Sequence, residues 1–140
     1  MRPSVRQCKD TLLLKELHQA CFPYDAHPNY TEGYWYIVGD ERQPLAFAGL
    51  QHSVRWQDTG YLVRAGVLPE YRGCGIQQLL IRVRERKARA LGLKWCITST
   101  YKNTPSANNL IRCGYLLYDP TIPWGAKGTL YWKRDLHGSI

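Results

Sequence analysis

The chain has 140 residues, 44% of them apolar, which is enough to build a core and fits one domain spanning residues 1–140. Nineteen Lys and Arg against eleven Asp and Glu leave a formal net charge of +8, which favours anionic ligands (a phosphorylated cofactor, nucleic acid, an acidic protein) or serves only solubility. Five cysteines without a CxxC pair and four scattered histidines argue against a disulfide framework or a metal site, and no run approaches the ~18 apolar residues of a membrane span.

Asp10 is a good N-cap for a helix whose apolar face carries Leu13, Leu14, Leu17 and Ala20 or Cys21, and Pro23 ends it. Tyr24 to Gly33 reads as a loop or short helix rich in aromatics. Trp35 to Val38 and Leu45 to Val54 read as the two arms of a hairpin around a turn at 39–44. A second turn, Arg55 to Gly60, leads to a third strand, Tyr61 to Val67. The periodicity predicts a helix over Ile76 to Leu91 that buries Ile76, Leu79, Leu80, Val83 and Ala90, with Arg82, Arg84, Arg86 and Arg89 on a solvated face and Gly92 as its stop. A buried strand, Trp95 to Ser99, follows. A short helix, Pro105 to Arg112, ends at Gly114, and strands at Tyr115 to Tyr118 and Thr129 to Lys133 close the chain. The order predicts an α/β (α+β) fold: one mixed, mostly antiparallel twisted sheet of about six to seven strands flanked by helices.

The segment Val67-Leu-Pro-Glu-Tyr-Arg-Gly-Cys-Gly-Ile76 carries the most functional information. It reads as strand, glycine loop, helix, an order that aims backbone N–H groups at one spot beside a positive helix end, where phosphate binds. A lone Gly-x-Gly also marks a simple turn. No Lys-Ser/Thr follows the loop, as a Walker loop requires. A third glycine and an acidic ribose ligand, as in dinucleotide folds, are also missing.

This segment resembles the acetyl-CoA loop of the GNAT superfamily of N-acetyltransferases, (Q/R)xxGx(G/A). Arg72 and Gly75 match the first and fourth positions, and Gln77 departs from the small residue usual at the sixth. A second block, Asn103, Ser106, Gly114 and Tyr115, is similar to that family's helix and strand after the cofactor. The resemblance covers about Leu12 to Lys133. It implies an enzyme that moves an acetyl group from acetyl-CoA directly to an amine, without a covalent enzyme intermediate. It also implies that Arg72, Gly73, Cys74, Gly75, Ile76 and Gln77 hold the pyrophosphate. The edge of Ala65-Gly66-Val67 would meet the pantetheine arm, with the Val67 N–H aimed at the thioester oxygen and Gly66 allowing close approach. Asn103, with Ser106, would bond pantetheine; the alternative is that Asn103 only caps its helix.

Acyl transfer needs a neutral amine, a polarised carbonyl and a stabilised thiolate. The family's frequent acid is a Tyr four residues before the Gly of its Gly-Phe/Tyr pair, and here that position is Leu110. Tyr115, Tyr118 and Tyr101 are the substitutes, or no acid is needed because a thiolate of pKa near ~8.5 already leaves well. His52, expected beside the cleft, is the candidate base, with Asp58, Glu32 and a water chain as rivals. The resemblance implies that the acceptor enters opposite the cofactor, between the early helices and the late strands, which points to Tyr24 to Tyr36 and Pro120 to Lys127.

A monomer or homodimer in the cytoplasm, acting on a small-molecule or protein amine, is the expectation. Two alternatives stay open: a nucleic-acid-directed protein of the same fold, motivated by the positive charge, and a non-catalytic coenzyme A-binding module, motivated by Leu110.

Overall fold

The computed structural model describes residues 3–137. In chain order its elements are β1 (Val5–Gln7), α1 (Thr11–Cys21), β2 (Tyr34–Gly39), β3 (Pro44–His52), β4 (Thr59–Val67), a single 3-10 turn at Pro69–Tyr71, α2 (Ile76–Ala90), β5 (Trp95–Thr100), α3 (Thr104–Arg112), β6 (Leu116–Tyr118) and β7 (Leu130–Asp135). The strands form one seven-stranded sheet in the order β1-β2-β3-β4-β5-β7-β6. Every pairing is antiparallel except β4 with β5. The mixed sheet with flanking helices agrees with the expected fold class.

Strand alternation divides the core between two faces. On one face, Leu14 and Leu17 of α1 pack against Trp35, Ile37 and Phe47. On the other, Ile76 and Leu80 of α2 pack against Tyr36, Val38, Ala46, Ala48 and Val67. That second layer continues through Ile81, Ala88, Leu110, Cys113 and Trp132, where α2 and α3 meet β5 and β7. Asp10 caps α1 by accepting from the Leu13 N–H at 3.1 Å, as its position predicts.

Two departures from the sequence reading matter. The first is β1: Val5–Gln7 pairs antiparallel with Tyr36–Val38 at the sheet edge, and three residues carry no periodicity to announce it. The second concerns α2. Its buried positions are Ile76, Leu80, Ile81, Arg84, Glu85 and Ala88, whereas Leu79 and Val83 are half-buried and Ala90 is exposed. Arg84 therefore leaves the solvated arginine face: it is 2% exposed, while Arg82, Arg86 and Arg89 stay outside.

The register explains why a charge is buried there. Ala48 pairs with Ala65 but Gly49 pairs with Val63, so Arg64 is an extra residue in β4 and the ladder breaks. Arg84 adds a side-chain donor beside the break: Nη1 donates to Gly49 O at 3.1 Å and Val63 O at 3.2 Å, and Nε donates to Leu80 O at 3.1 Å. Burial lowers the Arg84 pKa to about 10, so the guanidinium stays charged at neutral pH. Beside it, the buried Glu85 carboxylate accepts from Arg82 and Arg134.

The bulge sits where the sheet opens. β4 and β5 pair only over Thr59–Tyr61 and Trp95–Ile97. Thr98 Oγ1 then donates to Leu62 O at 2.8 Å, and beyond it the strands part. All five cysteines are free thiols. Among the described residues, no helix is long and apolar enough to cross a membrane, and no group of three or more His, Cys, Asp or Glu is placed to hold a metal ion.

Candidate active site

The gap between β4 and β5 is continuous with a cavity of about 600 Å³ bounded by the glycine loop, the first turn of α2, the end of β4 and the start of α3. Ala65, Gly66, Val67, Arg72, Gly73, Gly75, Ile76, Gln77, Asn103 and Ser106 all line it. Cys74 alone of the predicted cofactor residues does not; it is exposed, with Sγ 3.8 Å from Arg72 O. Arg112, in the last turn of α3, adds a second cation to the rim that the sequence reading did not single out.

The backbone explains what this cavity can hold. Gly73 and Gly75 have φ of +79° and +80°, the left-handed region that favours glycine. An added Cβ at either would meet nothing within 4 Å, so conformation rather than crowding requires glycine here. No side chain caps α2, and the first N–H of that helix with a backbone acceptor is that of Leu79, bonded to Gly75 O at 3.1 Å. The N–H groups before it face the loop at the positive end of the helix dipole, a place suited to an anion. Arg72 reaches back, its Nε donating to Val67 O at 3.0 Å, which ties the loop to the strand end.

The strand edge is also available. Leu68 N donates to Leu45 O at 3.0 Å. With the register pairing Gly66 to Phe47, ladder alternation turns the N–H and C=O of Ala65 and Val67 away from β3, into the gap. Gly66 has a different reason from the one expected. A Cβ there would lie 2.7–2.9 Å from Phe47, Cys21 and Phe22, so the residue is glycine because the end of α1 packs on it. Asn103 serves as the N-cap of α3, Oδ1 accepting from Ser106 N at 3.1 Å. Its oxygen thus serves the cap, and its amide NH2 is left to donate into the cavity.

A second cavity of about 540 Å³ continues through the gap to the α1 face, reached past Gln77, Ser106 and Leu110 and bounded by Asp25, His27, Arg64, Ser99 and Tyr101. Leu110, 5% exposed, stands in its wall without a titratable group. Of the substitute tyrosines only Tyr101 lines this cavity, together with Tyr61. Tyr118 lines neither cavity, and burial pushes its phenol to about 12. Tyr115 is 2% exposed in the core against Leu110 and Trp132. Burial, with Cys96 and Glu85 adding, drives its phenol well above the usual range. It is not brought together with the cleft residues.

His52 is likewise apart. It is exposed at the end of β3 opposite Gly60, its ring 6.4 Å from Tyr34, and lines neither cavity. Gly60 and the loop end of β4 are seven residues apart, roughly 23 Å along a strand. Asp58 pairs with Lys94 at 3.9 Å, and neither it nor Glu32 lines either of these two cavities. On the acceptor side, Asp25, Ala26, His27 and Pro28 of the α1–β2 loop reach the second cavity, whereas 120–127 does not. Trp124 of that segment packs on Tyr131 at 4.5 Å, with Arg55 over its ring at 4.7 Å.

The α1–β2 loop is fastened to the bulge. Arg64 Nη1 pairs with Asp25 Oδ2 at 3.0 Å, and its guanidinium lies 4.8 Å over the Phe22 ring. Beneath the loop, His18 is 0% exposed and neither ring nitrogen has a hydrogen-bond partner. Burial first, then Arg64 and His27, lowers its pKa from 6.5 to about 4, against a smaller opposing pull from Asp25. The folded state therefore holds His18 neutral, while the unfolded chain takes up its proton near pH 6.5. Stability is then full above that pH and lost as pH falls toward 4, by about 3 kcal/mol in total. Urea unfolding at neutral pH and near the lower limit checks this; the slope should shrink in His18→Phe, and a flat wild-type profile contradicts it.

The comparisons with known proteins bear on this arrangement. The family model described as Acetyltransferase (GNAT) family matches residues 5–115. Among solved structures, an acetyltransferase from Bacillus subtilis in complex with CoA superposes with a TM-score of 0.77 at 16% identity, covering 96% of this chain and 99% of that one. The PaiA N-acetyltransferase from Thermoplasma acidophilum, in complex with coenzyme A, gives 0.75 at 12% identity with 96% and 99% coverage. A ribosomal-protein alanine N-acetyltransferase from Escherichia coli gives 0.76 at 12% identity with 99% and 97% coverage. No curated protein matches the sequence. At these identities the structural likeness speaks for the fold, whereas the sequence match spans 111 of 140 residues: the chain belongs to the acetyltransferase (GNAT) family.

Proposed function

We propose that the protein is an acetyl-CoA-dependent N-acetyltransferase that transfers directly to an amine. The observation that carries this reading is the convergence of the uncapped α2 N-terminus, the open edge of β4 and two arginines on one cavity of about 600 Å³. That volume lies within the ~300–1,000 Å³ usual for cofactor clefts. Two structural neighbours, from Bacillus subtilis and Thermoplasma acidophilum, were solved with coenzyme A bound, which supports the same ligand here.

Acetyl-CoA supplies an activated thioester and two clusters of phosphate charge. The N–H groups from Gly73 to Gln77 hold the pyrophosphate, with Arg72 fixing the loop and Arg112 adding charge at the rim. The side chain of Gln77 lines both cavities. The N–H and C=O groups of Ala65 and Val67 pair with the amide-bearing arm, and the Val67 N–H donates to the carbonyl that becomes an oxyanion. The Asn103 amide adds one donor. Leu110 contributes no proton, so the thiolate leaves unassisted or takes its proton from Tyr101 or water. The amine enters from the α1 face, through the second cavity. The setting we infer is the cytoplasm.

Titration calorimetry with acetyl-CoA tests the reading, with micromolar binding expected; no binding overturns it. Thiol release with a panel of primary amines then separates an enzyme from a pure coenzyme A binder.

A further inference from the structure

The acceptor cavity holds a histidine that the reading above leaves without a task. His27 lines it, and its Nδ1 lies 2.7 Å from the Tyr30 hydroxyl. Its ring stands 4.5 Å from that of His18, and Tyr30 stands 5.1 Å from Trp35 and 6.3 Å from His18 in edge contacts. The ring is therefore braced on two sides by a packed aromatic layer. Its Nε2 has no partner among the described residues. Across the same cavity lies the β4 stretch Val63 to Ala65, beside the edge assigned to the thioester.

We propose that His27 is the proton acceptor of the transfer, with its Nδ1–H donated to the Tyr30 oxygen and Nε2 presented to the incoming ammonium. The inference rests on the acetyltransferase reading. The step balances without any further reagent. Nε2 takes one proton from the ammonium and later releases it to solvent. The freed nitrogen lone pair forms the C–N bond, the C–S bond breaks with its electron pair on sulfur, and the second amine proton passes to solvent, from which water or Tyr101 returns one to the thiolate. His18 and Tyr30 are positioning residues. His18, kept neutral by burial (pKa about 4), places no competing charge against His27 when that ring becomes cationic. Asp25, in the same wall and paired with Arg64, adds a carboxylate near the path of a cationic acceptor.

Two readouts test the assignment, one independent of turnover. Long-range proton–nitrogen correlation spectra of the wild-type protein alone should show His27 protonated at Nδ1 and bare at Nε2, and Tyr30→Phe should weaken that preference. A proton on Nε2 overturns the proposal. In thiol-release assays with spermidine, tryptamine and an alanine-terminated hexapeptide, His27→Gln should lose about 100-fold or more in kcat, the usual scale of a general base. With hydroxylamine, an acceptor already neutral at neutral pH, the same variant should stay within a few-fold of wild type. Unchanged turnover of the amines, or an equal loss with hydroxylamine, overturns the assignment to His27 while leaving the acetyltransferase reading intact. Failure of the wild type to bind acetyl-CoA overturns both.

Discussion

Arg84→Met is expected to lower the stability of the fold by about 4 kcal/mol, because it removes the hydrogen bonds of a buried guanidinium, each worth about 1.5–3 kcal/mol. Arg84 bonds Gly49 O and Val63 O, the facing pair that follows the register break, from a position only 2% exposed. Methionine fills a similar volume and supplies no donor. Against a total of about 5–15 kcal/mol for a domain, this is a large fraction. The neighbouring Arg86→Ala removes an exposed charge and should change stability by less than about 0.5 kcal/mol. Urea unfolding of the two variants side by side makes the comparison. A loss under about 1 kcal/mol for Arg84→Met would mean that the bulge satisfies its carbonyls without the arginine.

The second large effect lies in the loop. Gly75→Val should weaken acetyl-CoA binding about 100-fold while the fold persists. Gly75 holds φ +80° at the N-cap of α2, and a side chain in that region costs about 1–2 kcal/mol even where space is open. A β-branched residue relieves the strain by rotating the backbone, which turns the N–H groups of the first turn away from their common target. Nothing crowds the site, so the loss should appear in affinity more than in the melting temperature. Calorimetric titration beside Cys74→Ala, a change at a loop residue that lines neither cavity, isolates the backbone requirement. Equal affinity in Gly75→Val and wild type would show that the cradle is not where the phosphates bind.

These two residues mark how far sequence reading reaches. Gly75 was legible because its demand is local: a turn between an apolar strand and an amphipathic helix needs left-handed backbone, and glycine announces it. Arg84 was not, because its neighbours along the helix make it one of several arginines. Its burial follows from a register break between two strands far away in the chain. Arg64 is hidden for the same reason: an extra residue in β4 exists only relative to the count in β3. His52 is a candidate by its strand-end position beside the expected cleft, and Tyr115 by nearness in sequence. Strand direction puts the first at the far end of the sheet, and the second, in the connection between α3 and β6, packs into the core.

Periodicity, capping residues and glycine positions are properties of neighbours along the chain, and they were enough to set the elements after β1, the sheet class and the glycine loop on which the family resemblance rests. Which side chains share a cavity depends on pairing partners, register and the face each residue takes, and those are set by long-range packing. Only the folded chain shows that β4 and β5 part after three paired residues, that Arg84 and Arg64 anchor the two sides of that opening, and that His27 stands within it.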